Sequence, residues 1–237
     1  MALDPYVSCP CGSGKKFKWC CAAYFTSVEK AFEQERLGQH EAALATIQGL
    51  TAAHPDNPAV WGYFAQFLYN AAGAATSEDA AGKLVERAEE ALSEALKRNP
   101  NFGMAHFLRG MFRQNEGELI GALMLFRKAA DAYDPEATDQ LAHVYELIFR
   151  NELMLNRPVA ARAALERAVK YQPADAEAKA KAIRLLQAGV SLEVEQVLKS
   201  SERSDSERRL TALLALLTEL NQVLPELEKV ESGELAQ

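Results

Sequence analysis

From residue 26 onward, small and apolar residues return in cycles that each close on a proline. The first cycle runs Ala43, Ile47 and Leu50 to Pro55; the second runs Trp61, Phe64, Ala65 and Leu68, then Ala88, Leu92 and Ala95 to Pro100. The third has Gly110, Gly117, Ala122, Phe126 and Ala129 before Pro135. The fourth has Leu141, Val144, Tyr145 and Ile148, then Ala161, Leu165 and Ala168 before Pro173. Apolar returns at three and four residues mark amphipathic helices, and proline cannot continue one. Each cycle holds two such stripes, separated in the first, third and fourth by a breaker, Gly38, Gly117 and Asn156 in turn, the last of which also tolerates the left-handed conformation. Self-similarity at this period constrains the fold more than any other feature: each unit is a helix pair that buries its apolar face only against its neighbours.

These landmarks resemble the tetratricopeptide repeat (TPR), a helix pair of about 34 residues. The resemblance implies an all-α fold, a TPR-like helical-hairpin solenoid. Trp61 stands at the family's tryptophan position, and the run from Gly110 to Ala129 is the best match. The second unit departs. Trp61 to Pro100 spans 39 positions, about 11 more than the consensus. The excess is assigned to 71–82, which is expected to lengthen the turn between the paired helices. Thr26-x-x-Glu29 reads as the capping box opening the first helix, and Pro158 as a helix start. Residues 175–199 read as a fifth, degenerate pair, broken at Gly189 with Ser191 as N-cap. After a polar stretch, Ser204-x-x-Glu207 opens a last helix carrying Leu210, Leu213, Leu214, Leu217 and Leu220. That helix is read as a solenoid cap or, alternatively, as a docking helix; Pro225 ends it, and the tail to Gln237 is polar.

Ahead of the repeats, all four cysteines fall within Cys9-Pro10-Cys11-Gly12-Ser13-Gly14-Lys15-Lys16-Phe17-Lys18-Trp19-Cys20-Cys21. No cysteine follows, so none is at hand for a distant disulfide, and adjacent Cys20 and Cys21 pair poorly with each other. Clustered thiols in a reducing compartment usually hold a metal, and four thiolates suit a tetrahedral Zn²⁺. Iron also takes four thiolates, though nothing here favours it. Four protein ligands leave no open position for water, which makes the site structural. Gly12 and Gly14 allow the tight turn that folds the ligands back on an ion. A phosphate-loop reading of Gly12–Lys16 fails on spacing: Cys9 stands where the first glycine belongs, and Lys16 where Ser or Thr belongs.

Residues 9–21 resemble the SEC-C motif, a short zinc module known from the C-terminal tail of the bacterial preprotein-translocase motor. The resemblance implies one structural Zn²⁺ on Cys9, Cys11, Cys20 and Cys21. It also implies contacts with other proteins, an export chaperone and the ribosome among them. The rest of the chain carries no translocase-motor sequence. Lys15, Lys16 and Lys18 interleave with Phe17 and Trp19, a basic, aromatic knuckle that could meet an acidic protein surface or RNA phosphates. The alternative is that Phe17 or Trp19 packs over the zinc site while the lysines are solvated.

The expected organisation is a zinc motif over 1–25, helical repeats over 26–200, and a capping or docking helix with its tail over 201–237. In TPR arrays the first helix of each pair lines a groove, which here implies Val28, Phe32, Gly62, Gln66, Tyr69, Phe107, Met111 and Gln114. Val28 and Phe32 occupy the places of a family carboxylate clamp and cannot form one. The lining suits a helix or extended peptide. With 26 Lys and Arg against 33 Asp and Glu, the net charge of −7 argues against broad coating of nucleic acid. There is no apolar run long enough to cross a bilayer, and the first residues do not read as a secretory signal. His40, His54, His106 and His143 are scattered, and neither a catalytic triad, H-E-x-x-H nor G-x-S-x-G occurs. The chain is therefore expected to be a cytoplasmic, non-catalytic adaptor that takes a protein or peptide in its groove, with the knuckle as a second contact. The alternative is a ribosome- or RNA-associated factor using the basic knuckle. Neither the partner's identity nor the oligomeric state is legible.

Overall fold

Gly38, Gly117 and Asn156 all take positive φ, at 75°, 79° and 55°. Each sits in the tight turn of a helical hairpin, where the left-handed conformation reverses the chain with no further residues. The computed structural model describes residues 4–9, 11–172, 209–218 and 220–222, with 187, 190, 191 and 194. Among these, a short 3-10 turn at Phe17–Trp19 precedes eight helices: α1 (Ala22–Arg36), α2 (His40–Ala53), α3 (Pro58–Gly73), α4 (Glu78–Arg98), α5 (Gly103–Asn115), α6 (Leu119–Ala132), α7 (Thr138–Met154) and α8 (Pro158–Tyr171). They pair as α1/α2, α3/α4, α5/α6 and α7/α8. The fold is all-α and TPR-like. The chain forms two compact units, Met1–Glu136 with three hairpins and Ala137–Gln237 with the fourth.

Local chemistry accounts for the boundaries. The Ala59 amide donates to Asn57 Oδ1 at 3.0 Å and Pro58 takes the first turn of α3, where a missing N–H costs nothing. Ser77 caps α4 by accepting from the Ala80 amide; Glu78 and Asp79 lie in its first turn and Lys97 and Arg98 in its last, each matching the helix dipole. Small residues set the helix approach. Ala43, Ala65, Ala88, Ala95, Ala122, Ala129 and Ala161 have no exposed surface. Gly110 lies so close to Phe126 that a Cβ would stand 2.6 Å from its ring.

Three expectations need correction. Thr26 does not cap α1: the helix begins at Ala22, directly behind Cys21, because the cysteine module runs into it without a linker. The excess residues of the second hairpin do not lengthen its turn, which is only residues 74–77; α3 reaches Gly73 and α4 runs for 21 residues, so the additional chain is helical. The alanine-rich composition there continues the helix rather than breaking it. Ser191 follows Val190, which is itself helical, so it is not a cap.

In the second unit, Pro158 begins α8, and Tyr145 stacks on Tyr171 with centroids 5.9 Å apart. Leu213, Leu216 and Leu220 are buried, whereas Leu214 is 47% exposed and lies off that stripe. Pro173, Gly189, most of the fifth pair, the Ser204–Glu207 box, Pro225 and the tail lie outside the described residues.

Candidate metal centre

Residues 7–9 and 15–17 run antiparallel: Ser8 bridges Lys16, the Cys9 amide donates to Lys15 O at 2.8 Å, and Phe17 N to Val7 O at 3.0 Å. Gly12 and Gly14, both at φ 71°, make the reversal between them. Cys9 and Cys11 thus stand on one arm of a small knuckle. The 3-10 turn then delivers Cys20 and Cys21 to the N-terminus of α1, whose dipole favours negative charge.

The four Sγ atoms all lie within 4.8 Å of one another. Cys9–Cys11 and Cys11–Cys20 are 3.4 Å apart and Cys20–Cys21 3.9 Å. A tetrahedral ion with Zn–S bonds of about 2.3 Å has S···S edges of about 3.8 Å, so the cluster already has the required size. The separations are far too long for disulfides, and all four cysteines are free. Three are buried and Cys20 is half-buried. The thiols therefore fit a metal ion, and among the described residues they form the only such group of His, Cys, Asp or Glu.

Crowding splits their acidity. A hydrogen bond from Cys21 is the largest influence on Cys11 and holds its thiol down at about 4. Cys21 is pushed well above the usual thiol range, first by that same bond and then by burial. Burial drives Cys9 up to about 11. A bare cluster thus favours a thiolate on Cys11 with protons on Cys9 and Cys21, whereas a divalent cation would favour more negative charge.

Partners distant in sequence enclose the site. Tyr24 Oη donates to Cys21 Sγ at 2.8 Å, and burial pushes the pKa of that phenol well above the usual range. Asn57 Nδ2, from the loop between α2 and α3, lies 3.5 Å from the same sulfur. Asn99 Nδ2, at the end of α4, donates to Cys11 O at 3.4 Å. Spacing in the cysteine segment does not announce these residues, and no sequence signal would have found them.

The five knuckle side chains separate. Phe17 is 6% exposed and packs edge-on to Phe25 with centroids 5.1 Å apart. It belongs to the core and is not a surface contact. Trp19 is 64% exposed, edge-on to Tyr6 at 5.9 Å, and Lys18 Nζ stands 5.3 Å from the Tyr6 ring and 5.9 Å from Trp19. Lys15 and Lys16 are exposed.

Among the expected groove residues, Val28 is fully buried, and Gly62 lies beneath Phe102 and Met104. Neither lines a surface: Val28 is in the core, and Gly62 stands where the second and third hairpins press together. Phe32 packs on Phe67 with centroids 4.9 Å apart. Gln66 and Tyr69 on α3, and Phe107, Met111 and Gln114 on α5, are all half-buried. Tyr69 stacks on Phe112 at 3.9 Å and accepts a hydrogen bond from Asn115 Nδ2 at 2.6 Å. Two surface concavities open elsewhere, one beside Trp61, Phe64 and Arg87, the other beside His106, Lys128 and Asp131.

No protein-family model matches the chain, and no curated protein matches it. Solved structures do. A thermophilic TPR protein of Thermus thermophilus superposes with a TM-score of 0.57 at 20% identity, covering 68% of this chain and 79% of its own. The MamA RS-1 ArsTM double mutant gives 0.51 at 16% identity over 85% and 98%. MamA gives 0.50 at 12% identity over 81% and 96%. At these identities the likeness is one of fold. No described helix is long and apolar enough to cross a membrane.

Proposed function

We propose that the chain is a non-catalytic, zinc-binding adaptor. One structural Zn²⁺ is held by Cys9, Cys11, Cys20 and Cys21 in a knuckle of the SEC-C type. A protein or peptide partner takes the α3–α5 face through Gln66, Tyr69, Phe107, Met111 and Gln114, and the knuckle adds a second contact through Lys15, Lys16, Lys18 and Trp19. The observation that carries this reading is the closeness of the four sulfurs, at tetrahedral spacing, on a TPR-like scaffold. The α3–α5 face mixes aromatic rings, a thioether and amides, which suits a helix or an extended segment. Such a protein works in the cytoplasm, where its thiols stay reduced.

The test combines elemental analysis with affinity capture from the native cell. One zinc per chain is expected on freshly purified reduced protein. Partners captured by the intact chain should be lost with Tyr69→Ala/Met111→Ala. Loss with Cys20→Ser/Cys21→Ser alone would assign them to the knuckle. Absence of metal removes the zinc reading, and turnover of a small molecule by the purified chain removes the adaptor reading.

A second reading rests on the exposed Trp19 and Lys18 beside Lys15 and Lys16. Here the knuckle meets RNA, on the ribosome or free, with a base against the indole and phosphates on the lysines. Binding should then weaken steeply with salt and disappear when the three lysines become alanine. Weak binding indifferent to both changes rejects it.

A further inference from the structure

The knuckle reaches beyond the helix it opens. Its contacts fall on the closing loops of three successive hairpins, all within the first unit. Asn57, in the loop that leaves the first hairpin, directs Nδ2 at Cys21 Sγ. Asn99, where the second hairpin ends, donates to Cys11 O. Gly12 packs on the same Asn99 so closely that a Cβ would stand 2.7 Å from Nδ2. Asp134, just past the third hairpin, has its carboxyl held below the usual carboxylate range, first by the Glu136 amide and then by the nearby Ser8 hydroxyl and Lys16 ammonium. Asp134 accepts from that amide at 2.9 Å, which fixes its own loop.

Two of these loops start the helices of the proposed partner face. Pro58 opens α3 directly after Asn57, and its cap is Asn57 itself, whose Oδ1 accepts from Ala59 N while its Nδ2 faces sulfur. Asn99 O accepts from Phe102 N at 3.0 Å, and Phe102 is the residue before α5. A shift of either asparagine shifts the first turn of the helix that carries Gln66 and Tyr69, or Phe107, Met111 and Gln114.

We propose that the cysteine knuckle is a metal-dependent strap across the ends of three hairpins, and that metal occupancy sets how firmly α3 and α5 are held in place. This rests on the metal reading above and adds to it. Segments as short as the knuckle lack a core of their own, so an ion supplies their folding free energy. Without it the Cys11 carbonyl and the Cys21 sulfur no longer have fixed positions, and the two asparagines lose their partners. By reciprocity, the asparagines must strengthen metal binding to the extent that metal steadies their loops.

The experiment is amide hydrogen exchange on the full chain, zinc-loaded and after chelation, with zinc content measured in both states. Expected on chelation is faster exchange at 99–102 and 133–136, which hold no metal ligand, together with the first turn of α3. A second measurement uses Asn99→Ala, which leaves all four thiols intact: zinc should still bind one per chain, about 10-fold more weakly. If zinc binds and leaves, yet 99–102 and 133–136 exchange alike in both states and Asn99→Ala binds zinc as tightly as the native chain, the strap is overturned while the metal site stands. If the native chain binds no zinc, both fall together.

Discussion

The Trp61 indole donates from Nε1 to the carbonyl of Pro55 at 2.8 Å. One hairpin later, His106 Nε2 stands 2.9 Å from the carbonyl of Pro100, at the same separation in sequence. A carbonyl only accepts, so His106 carries its proton on Nε2. In each case a ring N–H near the start of the first helix is tied to the proline that closed the preceding pair. Histidine at the tryptophan position is therefore a conservative change in hydrogen bonding though a large one in volume. Arg98 reinforces the first instance, donating to the same Pro55 carbonyl with its guanidinium 4.6 Å from the Trp61 ring.

Replacing His106 with phenylalanine should remove this bond and cost about 1 kcal/mol in chemical denaturation. His106→Trp should recover most of it, because the indole restores the donor. Equal stability of the phenylalanine and tryptophan variants would show that the bond contributes nothing.

Glycines on helices should separate by what a methyl group would meet. Gly110→Ala drives a Cβ into the Phe126 ring and should destabilise by about 1–3 kcal/mol. Gly82 lies within α4 with nothing near its missing Cβ, so Gly82→Ala should stabilise by up to about 1 kcal/mol. Thermal unfolding of the two variants should shift in opposite directions.

The left-handed turn at Asn156 gives a third comparison. Asn156→Ala places a Cβ in a conformation that alanine resists and should cost about 1 kcal/mol. Asn156→Gly should cost less, since glycine adopts φ 55° freely. The reverse order in denaturant midpoints would mean that side-chain contacts govern this turn.

Zinc uptake should release protons. Cys9 and Cys21 both hold theirs at neutral pH because their pKa values are raised, while Cys11 is already ionised. Binding a cation through all four sulfurs must displace the protons of Cys9 and Cys21 at least. Titration calorimetry in buffers of differing ionisation enthalpy should show this release, and affinity should fall as pH is lowered. Buffer-independent heats would contradict it.

The sequence by itself determined what depends on near neighbours in the chain. Helix periodicity, the breakers at Gly38, Gly117 and Asn156, and the prolines between hairpins are local properties, so four helix pairs and three of their turns were legible. So was the cysteine set, because its ligands fall within thirteen residues and two glycines reverse the chain between them. Composition misled over 71–82, where small residues suited a turn and a helix equally, and the extended helix α4 prevailed.

Tertiary structure alone decided which residues meet. Asn57 reaches Cys21 across 36 positions and Asn99 reaches Cys11 across 88, distances closed only by stacking one hairpin on the next. The same stacking turned Val28 and Gly62 inward and left Trp19 outside while Phe17 went into the core. An amphipathic stripe shows that a face is buried. What covers that face depends on the angle at which the next unit arrives, and that angle is set by the packing of many side chains together.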